Sequence, residues 1–335
     1  MTVHSRPAPT VVLGQNQYGK AECHVVRITR EGATHHIKDL DVSIALSGDL
    51  EDVHLSGSNA NCLPTDTTKN TVYAFAKKYG IESAERFGIL LARHFVTSQE
   101  PIRRARVRIE EHAWERIAGG AGRLNGAGGG GGPGGSGGFG KAGGPGKAGG
   151  HSFVRRGQET RLAQVTFDGE RWQVVSGLKD LVVLNSTNSE FWGYIKDEYT
   201  TLEETYDRVL ATEVSARWRF GWTGEPHREP AWERSYQRVR ADMLQAFADT
   251  YSLSLQQTLY EMGSRVISGG DEIDEVRFSL PNKHHFLVDL EPFGLENDTA
   301  DAAVYHAADR PYGLIEATVL REGVEAGIPL DLTNL

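Results

Sequence analysis

The stretch SLPNKHHFLVDL, at Ser279–Leu290, has the pattern of a β-strand with one buried face. Every second residue of its latter half is apolar: Phe286, Val288 and Leu290. The same parity places Asn282 and His284 on that face, about 6–7 Å apart along the strand. Pro281 lacks a backbone N–H, so we expect it at the beginning of the strand or on a sheet edge. The amide and the imidazole are either satisfied by neighbouring residues or directed into a pocket.

The composition predicts a soluble globular protein. The chain has 335 residues, of which 39% are hydrophobic and 24% charged, and it is long enough for two domain cores. It contains no apolar run of about 18 residues, so no membrane span is expected. The N-terminus lacks a basic region followed by a long apolar core, and the C-terminal DLTNL differs from the peroxisomal signal SKL. We therefore expect a cytoplasmic protein of bacterial origin.

Charge and cysteine content disfavour two further classes. The net charge of −9 makes nucleic acid an unexpected partner. In the basic run Arg103–Arg108 the arginines alternate with apolar residues, which predicts a strand with one charged, solvated face. The two cysteines, Cys23 and Cys62, cannot form a disulfide framework or a CxxC metal site. We expect a reducing compartment and no metal.

The first half of the chain predicts strands, then two helices, then a strand. Strands are expected at Ala21–Arg30 and across the alternating segment Leu40–Leu46. A helix begins near Asp66–Thr68 and ends at Gly80. A second helix carries one apolar stripe: Phe87, Leu90, Leu91 and His94. The strand Arg103–His112 closes this half.

Residues 119–150 are dominated by glycine and contain 19 of the 39 glycines in the chain. Such a segment cannot bury enough apolar surface to offset its conformational entropy, so it is expected to be disordered. It is not a phosphate-binding loop, because no predicted strand leads directly into it and no predicted helix follows directly after it. We interpret it as an insertion within a connection.

The second half repeats the order of the first. Strands are predicted at Ala163–Phe167, Trp172–Val174, Leu178–Leu184, Val214–Phe220, Val276–Leu280, His284–Leu290 and Gly313–Arg321. One helix follows Pro230, and another begins at Ser254, where Gln257 has the spacing of a capping box. Phe191–Leu210 is less regular, and its latter part is expected to form a helical turn or more.

The repeated order predicts an α+β fold in which one unit is used twice, with helices on one face of an antiparallel sheet. We expect a flexible N-terminal arm at 1–17, a first unit at 18–118, the disordered insertion at 119–150, a second unit at 151–323 and a C-terminal tail at 324–335. Sequence identity between the two units is too low to establish a duplication.

Two helix starts offer backbone N–H groups that favour an anion or a carbonyl oxygen. Thr65 is expected to cap the first helix, and Leu255 and Gln256 occupy the first turn of the last helix. Simple capping would explain both. Arg208 and Phe191 also allow two interpretations. In the first, Arg208 forms a surface ion pair and Phe191 belongs to the core. In the second, Arg208 supplies a planar fork of N–H donors and Phe191 a stacking face to a flat, oxygenated heterocycle.

Six motifs in a fixed order make the chain resemble the urate oxidase (uricase) family. They are YGK at Tyr18–Lys20, TDTTKNTVY at Thr65–Tyr73, HSF at His151–Phe153, LNSTNSEFWGYIKDEYTTLEETYDR at Leu184–Arg208, LQQTLYEM at Leu255–Met262 and SLPNKHHF at Ser279–Phe286. The resemblance spans Tyr18–Arg321 except for the glycine-rich insertion. It implies two tandem tunnelling-fold (ββααββ-like) units, which assemble into a homotetrameric barrel with active sites at subunit interfaces.

The resemblance implies that five residues of the second half contact the substrate: Phe191, Leu202, Arg208, Leu255 and Gln256. The phenylalanine stacks on the purine, the arginine and the glutamine grip its pyrimidine edge, and Leu202 lines the site. Leu255, where valine is more familiar, supplies a backbone contact. Thr65 and Asp66 reach the substrate from the neighbouring subunit.

The remaining implied residues handle oxygen and protons. Asn282 lies over the ring, where dioxygen, peroxide or water sits, and Lys20, Thr65 and His284 form a proton relay. Doubly deprotonated urate is rich enough in electrons to react with triplet dioxygen directly, so no cofactor is expected. The implied reaction converts urate, dioxygen and water into 5-hydroxyisourate and hydrogen peroxide. The alternatives are a pterin- or nucleotide-directed enzyme of the same fold and a purine-binding protein with no catalytic activity.

Overall fold

Four long helices lie on one face of an eight-stranded antiparallel sheet. The structure is a computed structural model, which describes residues 11–32, 34–117, 151–298 and 303–329. Up to Phe167 the chain contains β1 (Tyr18–Glu31), β2 (Thr34–Gly48), α1 (Glu51–Leu55), α2 (Thr65–Lys78), α3 (Ala84–Ser98), β3 (Ile102–Glu111), β4 (Trp114–Arg116), β5 (Phe153–Arg155) and β6 (Thr160–Phe167). From Trp172 onward it contains β7 (Trp172–Asn185), β8 (Leu210–Phe220), α4 (Trp232–Asp249), α5 (Leu255–Ser268), β9 (Ile273–Leu287) and β10 (Tyr305–Leu320). None of the helices within these ranges combines the length and the apolar content that a bilayer crossing requires.

The strand order of the sheet is β1-β2-β3-β6-β7-β8-β9-β10, and β4 pairs with β5 in a separate hairpin. Every neighbouring pair of strands is antiparallel. Strands β1, β2, β3 and β6 carry α2 and α3, and strands β7 to β10 carry α4 and α5. The predicted α+β fold, with tandem units and helices on one face of an antiparallel sheet, is therefore confirmed.

Alternation along the strands builds one core between the sheet and the helices. Val107 of β3 pairs with Ile44 of β2 and Val165 of β6, and all three side chains are buried. In the second half, Ala216 of β8 and Phe278 of β9 pair on the same face and are also buried. Burying one such aliphatic or aromatic side chain contributes about 1.5–3 kcal/mol. The arginines predicted for a solvated face lie on the opposite, open face of β3: Arg104, Arg106 and Arg108.

Strands β1 and β7 carry the same kind of β-bulge. The register of β1 against β2 shifts between Lys20 and Cys23, and the register of β7 against β8 shifts between Leu178 and Leu181. The second residue of each bulge has a left-handed backbone: Glu22 (φ 54°) and Asp180 (φ 63°). Because the extra residue resets the alternation, both flanking side chains lie on the helical face of the sheet. The matched bulges support the interpretation that one unit is used twice.

A buried ionic cluster joins the two halves. Arg161 of β6 donates to Glu85 of α3 at 2.9 Å and 3.2 Å, and to Glu233 of α4 at 2.5 Å. The Glu85 side chain is 0% exposed and also accepts a hydrogen bond from Ser176 of β7. The Arg161 guanidinium lies 4.2 Å from the ring centroid of Tyr236. The cluster thus connects helices of both units to the middle of the sheet.

The predicted boundaries around Pro281 are wrong. Val276–Leu280 and His284–Leu290 are not two strands, because β9 runs without a break from Ile273 to Leu287. Pro281 therefore lies inside a strand and pairs with Leu314 of β10. The ladder from β9 to β8 has no paired residue at this position, which is where the missing N–H falls. Within this interruption the Thr212 hydroxyl of β8 donates to the Pro281 carbonyl at 2.9 Å, so the carbonyl has a partner.

The structure confirms that His284 and Phe286 share one face of the strand, as predicted for Ser279–Leu290, but it does not bury that face. The rings of His284 and Phe286 lie 5.9 Å apart in a stacked arrangement, so the two side chains share a face. Phe286 is nevertheless 52% exposed. Burial along β9 ends at Leu280, because the last residues of the strand extend past the core.

The expected helical turn in Phe191–Leu210 is wrong, because the segment contains no helix. Local side chains compete for its backbone N–H groups, which disfavours a helix. Asp197 Oδ1 accepts from the Tyr199 N–H at 3.0 Å, and Glu204 Oε1 accepts from the Gly193 N–H at 3.2 Å.

Five further expectations need a correction or lie, in whole or in part, outside the described residues. Trp172–Val174 and Leu178–Leu184 form the single strand β7, whose bulge breaks the alternation. In the α3 stripe, Leu90 and His94 are only half-buried. The insertion at 119–150 lies outside the described residues, as do 1–10 of the expected arm and 330–335 of the expected tail.

Candidate active site

Lys20 lies at the bulge of β1, on the face of the sheet that the helices cover. Its strand partner is Ile44. The preceding Gly19 is required by close packing, since a Cβ there would lie 1.9 Å from the Ile44 carbonyl oxygen. Burial raises the pKa of the Cys23 thiol, and the positive charge of Lys20 opposes that shift. Lys20 also contributes to the lowered pKa of Asp66, after the larger effect of Lys69. The Lys20 ammonium therefore lies close to the beginning of α2.

Tyr18 attaches the segment before α2 to β1. Its hydroxyl oxygen accepts a hydrogen bond from the Leu63 N–H at 2.8 Å. Burial, followed by a hydrogen bond with Cys62, raises the pKa of Tyr18 to about 12, so the hydroxyl stays protonated. Sequence analysis did not single out this residue, although it begins the YGK motif. Tyr18 thus links the strand of Lys20 to the segment that leads into Thr65.

Thr65 is the first residue of α2, and the prediction that it caps this helix is wrong. The N-cap position is occupied by Pro64, whose extended backbone (φ −55°, ψ 136°) leads into the helix without a side-chain cap. The half-buried Thr65 side chain is thus not engaged in capping. Asp66 is exposed and accepts hydrogen bonds from Lys69 at 2.5 Å and Asn70 at 2.9 Å. The ammonium of Lys69 lowers the pKa of Asp66, which keeps the carboxylate ionised.

The loop that carries Phe191 is tied to the segment before α5. Ser189 and Ser252 form an isolated β-bridge, and the Glu190 N–H donates to the Ser252 carbonyl at 2.8 Å. Phe191 and Thr205 exchange two backbone hydrogen bonds of 2.8 Å and 3.0 Å, which close the loop. This places Phe191 near the N-terminus of α5 although more than sixty residues separate them in the sequence.

Arg208 lies over Phe191. Its guanidinium carbon is 5.1 Å from the ring centroid, and its Nε donates to Ser189 Oγ at 3.0 Å. Burial lowers the pKa of Arg208, and no carboxylate pairs with its guanidinium among the described residues. Tyr194 stacks on the Phe191 ring at 5.0 Å. Ser189, which orients the guanidinium, was missed by sequence analysis, because a serine in a polar run gives no distinguishing signal.

The N-terminus of α5 has the predicted cap. Ser254 Oγ accepts from the Gln257 N–H at 3.1 Å, and Gln257 Oε1 accepts from the Leu253 N–H at 2.9 Å. The returning bond reaches the residue before the N-cap, one position earlier than in the standard capping box. Leu255 is 2% exposed, whereas the Gln256 side chain is exposed. The first turn thus buries one side chain in the core and leaves the next amide available.

Asn282 and His284 are half-buried on β9. Asn282 pairs with Thr212 of β8 and Gly313 of β10. Burial lowers the pKa of His284, and the positive charge of Arg208 adds to the shift. His284 is therefore neutral at pH 7 and lies near the Arg208 guanidinium. Leu202 is 56% exposed, and its carbonyl accepts a hydrogen bond from the Tyr194 hydroxyl at 2.7 Å.

The candidate residues fall into two groups. The first half-site contains Lys20, Thr65 and Asp66, and the second half-site contains Phe191, Leu202, Arg208, Leu255, Gln256, Asn282 and His284. In the described part of the chain, no hydrogen bond, ion pair or ring contact joins the two half-sites. Two cavities of about 460 Å³ and 310 Å³ lie elsewhere, one between α4 and α5 and the other beside the β4–β5 hairpin. No cluster of three metal-binding side chains occurs in the described ranges.

A model of the uricase family matches residues 16–166 and 174–316 of this chain. The chain belongs to the uricase family. The uricase of Arthrobacter globiformis is 44% identical over 329 residues, which cover 98% of this chain and 96% of that protein. The uricase of Aspergillus flavus is 33% identical over 318 residues, which cover 92% and 97%. The short unmatched segment between the two parts of the family match separates β6 from β7.

Solved structures of uricases have the same fold. The crystal structure of the Arthrobacter globiformis uricase aligns with a TM-score of 0.82 at 45% identity, over 96% of this chain and 99% of that chain. A uricase from Bacillus fastidious aligns with a TM-score of 0.71 at 22% identity, over 92% and 94%, and this likeness concerns the fold alone. The resemblance inferred from the six motifs is confirmed, and the tandem units are those of uricases.

Proposed function

We propose that this chain oxidises urate with dioxygen and water to 5-hydroxyisourate and hydrogen peroxide, without a metal or an organic cofactor. Membership of the uricase family makes the chain a urate oxidase. The observation that carries the finer proposal is the second half-site, where Arg208, Phe191 and His284 lie together. A guanidinium without a carboxylate partner, beside an aromatic face and a neutral imidazole, suits a planar anion that must lose protons and electrons.

The second half-site supplies binding and orientation. Arg208 offers a planar fork of N–H donors, and Gln256 offers an exposed amide that both donates and accepts. Phe191 offers a stacking face, for which Tyr194 would have to yield. The Leu255 N–H lies in the first turn of α5, where backbone donors favour an anionic or carbonyl oxygen. Leu202 lines the same side.

Electron transfer is assigned to the substrate, and proton transfer to the protein. Two electrons and two protons leave urate and water together, dioxygen is reduced to hydrogen peroxide, and the oxygen of water becomes the 5-hydroxyl group. Asn282 is the proposed contact for dioxygen, peroxide and water above the ring. The neutral His284 can accept a proton, and Lys20 with Thr65 would continue the relay.

The complete site would combine two chains. We propose that the first half-site of one subunit, with Lys20, Thr65 and Asp66, faces the second half-site of its neighbour in a homotetrameric barrel. The separation of the two half-sites within a chain supports this arrangement. We further propose a cytoplasmic enzyme without a nucleic-acid partner. The expected second unit at 151–323 includes β6, but β6 packs against α3 of the first unit, so we propose that it belongs to the first unit.

The chemistry is tested with protein treated with a chelator and freed of small molecules. We expect the ultraviolet absorbance of urate to decay with equimolar uptake of oxygen and release of hydrogen peroxide. No turnover without an added metal would contradict the cofactor-free mechanism. Binding of urate or a pterin without turnover would favour the alternative of a binding protein.

The two-chain site is tested by complementation. Thr65→Ala and Arg208→Gln should each lose most activity, and co-expression should restore part of it, because mixed tetramers would contain some sites with neither substitution. Co-expression of Thr65→Ala with Lys20→Ala provides the control, since both substitutions lie in the same half-site and should not complement. Equal activity of the two mixtures would contradict the arrangement.

A further inference from the structure

The open face of the sheet carries three arginines at alternate positions of β3, here called the arginine row: Arg104, Arg106 and Arg108. Alternate residues of a strand lie about 6.6 Å apart, so the long side chains can reach a common point. The residues paired with the row on β2 and β6 are neutral: Ser43, Ala45, Ser47, Gln164 and Thr166. The row therefore concentrates positive charge without a facing carboxylate on the adjacent strands.

In contrast to the arginine row, two lysines on nearby strands form ion pairs with carboxylates. Lys179 pairs with Glu110 at 2.9 Å, and Lys283 pairs with Glu213 at 2.5 Å. Glu110 is the next residue of β3 on the same face, but Lys179 already occupies both of its oxygens. Among the described residues, the side chains of the arginine row form no ion pair and no hydrogen bond. This is unexpected in a chain of net charge −9.

The positive charge of Arg106, the middle residue of the row, lacks a compensating partner in the part of the chain that the structure describes. Its side chain is half-buried, and its Nε is buried without a hydrogen-bond partner. Burial lowers the pKa of Arg106, and the like charges of Arg108 and Arg104 lower it further. A buried ionised donor without a partner destabilises the folded protein unless something compensates it.

We propose that the arginine row binds a polyvalent oxyanion of the phosphate or sulfate type. Tetrahedral oxyanions accept the paired N–H donors of guanidinium groups, and a double negative charge would offset the repulsion among three arginines. This site lies on the open face of the sheet, whereas Lys20 lies on the helical face. It is independent of the proposed urate chemistry.

Isothermal titration calorimetry with orthophosphate tests the site on the full chain, at an ionic strength held constant with sodium chloride. We expect one class of sites per chain, with affinity weakened about tenfold or more in Arg106→Gln, because a charge-assisted hydrogen bond is lost. Arg265→Gln is the matched control, since that arginine is a surface residue paired with Asp249. Arg208→Gln distinguishes phosphate bound at the urate clamp, and it should leave the measured affinity unchanged.

Several results would overturn the proposal. They are the absence of a binding heat with the unsubstituted protein, equal affinity in Arg106→Gln, or loss of binding in Arg208→Gln alone. A change of oligomeric mass in Arg106→Gln, without phosphate binding by the unsubstituted protein, would show that carboxylates of a second copy cover the row. If circular dichroism shows that Arg106→Gln is unfolded, the double variant of the exposed Arg104 and Arg108 to glutamine replaces it in the same comparison.

Discussion

Replacing Tyr18 by phenylalanine should slow urate turnover without weakening urate binding. The substitution keeps the ring, which packs against the core, and removes only the hydroxyl. That hydroxyl accepts the Leu63 N–H at 2.8 Å, two residues before Thr65. It therefore couples the strand of Lys20 to the start of the helix that carries Thr65.

The magnitude follows from the lost hydrogen bond. Leaving the partly buried Leu63 N–H without its acceptor costs about 1–3 kcal/mol of folding free energy. If the contact also holds Thr65 in place during catalysis, a loss of about 1 kcal/mol in the transition state lowers kcat about fivefold. KM should change by less than about twofold, because the clamp around Arg208 is untouched.

The assay combines steady-state urate oxidation with urea denaturation, at a temperature well below unfolding. Tyr79→Phe is the control, since this exposed tyrosine lies at the other end of α2. The reasoning is refuted if Tyr18→Phe loses stability but keeps the kcat of the unsubstituted protein, because the hydroxyl would then be structural only. A raised KM with constant kcat would refute it as well, since it would assign Tyr18 to binding.

Three other substitutions test the half-sites and the core. Lys20→Ala should lower kcat about 100-fold with little change in KM, as expected for loss of a proton carrier, and a KM effect alone would contradict that role. Arg208→Gln should raise KM and also raise the pKa of His284 in an NMR titration, because one nearby positive charge is removed; an unchanged pKa would contradict their proximity. Folding lowers the pKa of His284, so its protonation decreases the free energy of unfolding as the pH falls below about 6.5. Arg208→Gln should lose less of this free energy over the same pH range than the unsubstituted protein. Arg161→Ala should destabilise the fold by about 3–5 kcal/mol in urea, because the carboxylate of Glu85 stays buried without its cation, and a loss below about 1 kcal/mol would show that the cluster contributes little.

Hydrophobic alternation predicted the elements whose burial is set by the chain itself. In the central part of β2 and β3 every second residue is buried, as predicted, because one face of these strands lies in the core and the other faces away from it. The helices α4 and α5 and the Ser254 cap follow their signals for the same reason, since their apolar stripes pack on the sheet.

Elements that depend on distant partners were not predictable in this way. Pro281 lies inside β9 where the ladder to β8 is interrupted, and the Thr212 hydroxyl of that strand satisfies its carbonyl, which no local pattern reveals. Phe286 follows the parity of a buried face but stays exposed, since alternation does not show where the core ends. The residues of both half-sites were identified from family motifs, and not from periodicity. Their separation within the chain became visible only in three dimensions.

The matched bulges show how the two copies of the unit differ at equivalent positions. In each copy a glycine, Gly19 or Gly177, packs closely against the next strand, and the side chain of the following residue lies on the helical face of the sheet. One copy places a lysine there, whereas the other places Leu178, which is wholly sequestered. Under the proposed assignment, the first copy supplies the acid–base group and the second copy the substrate-recognition surface, so two chains facing each other would assemble two complete centres.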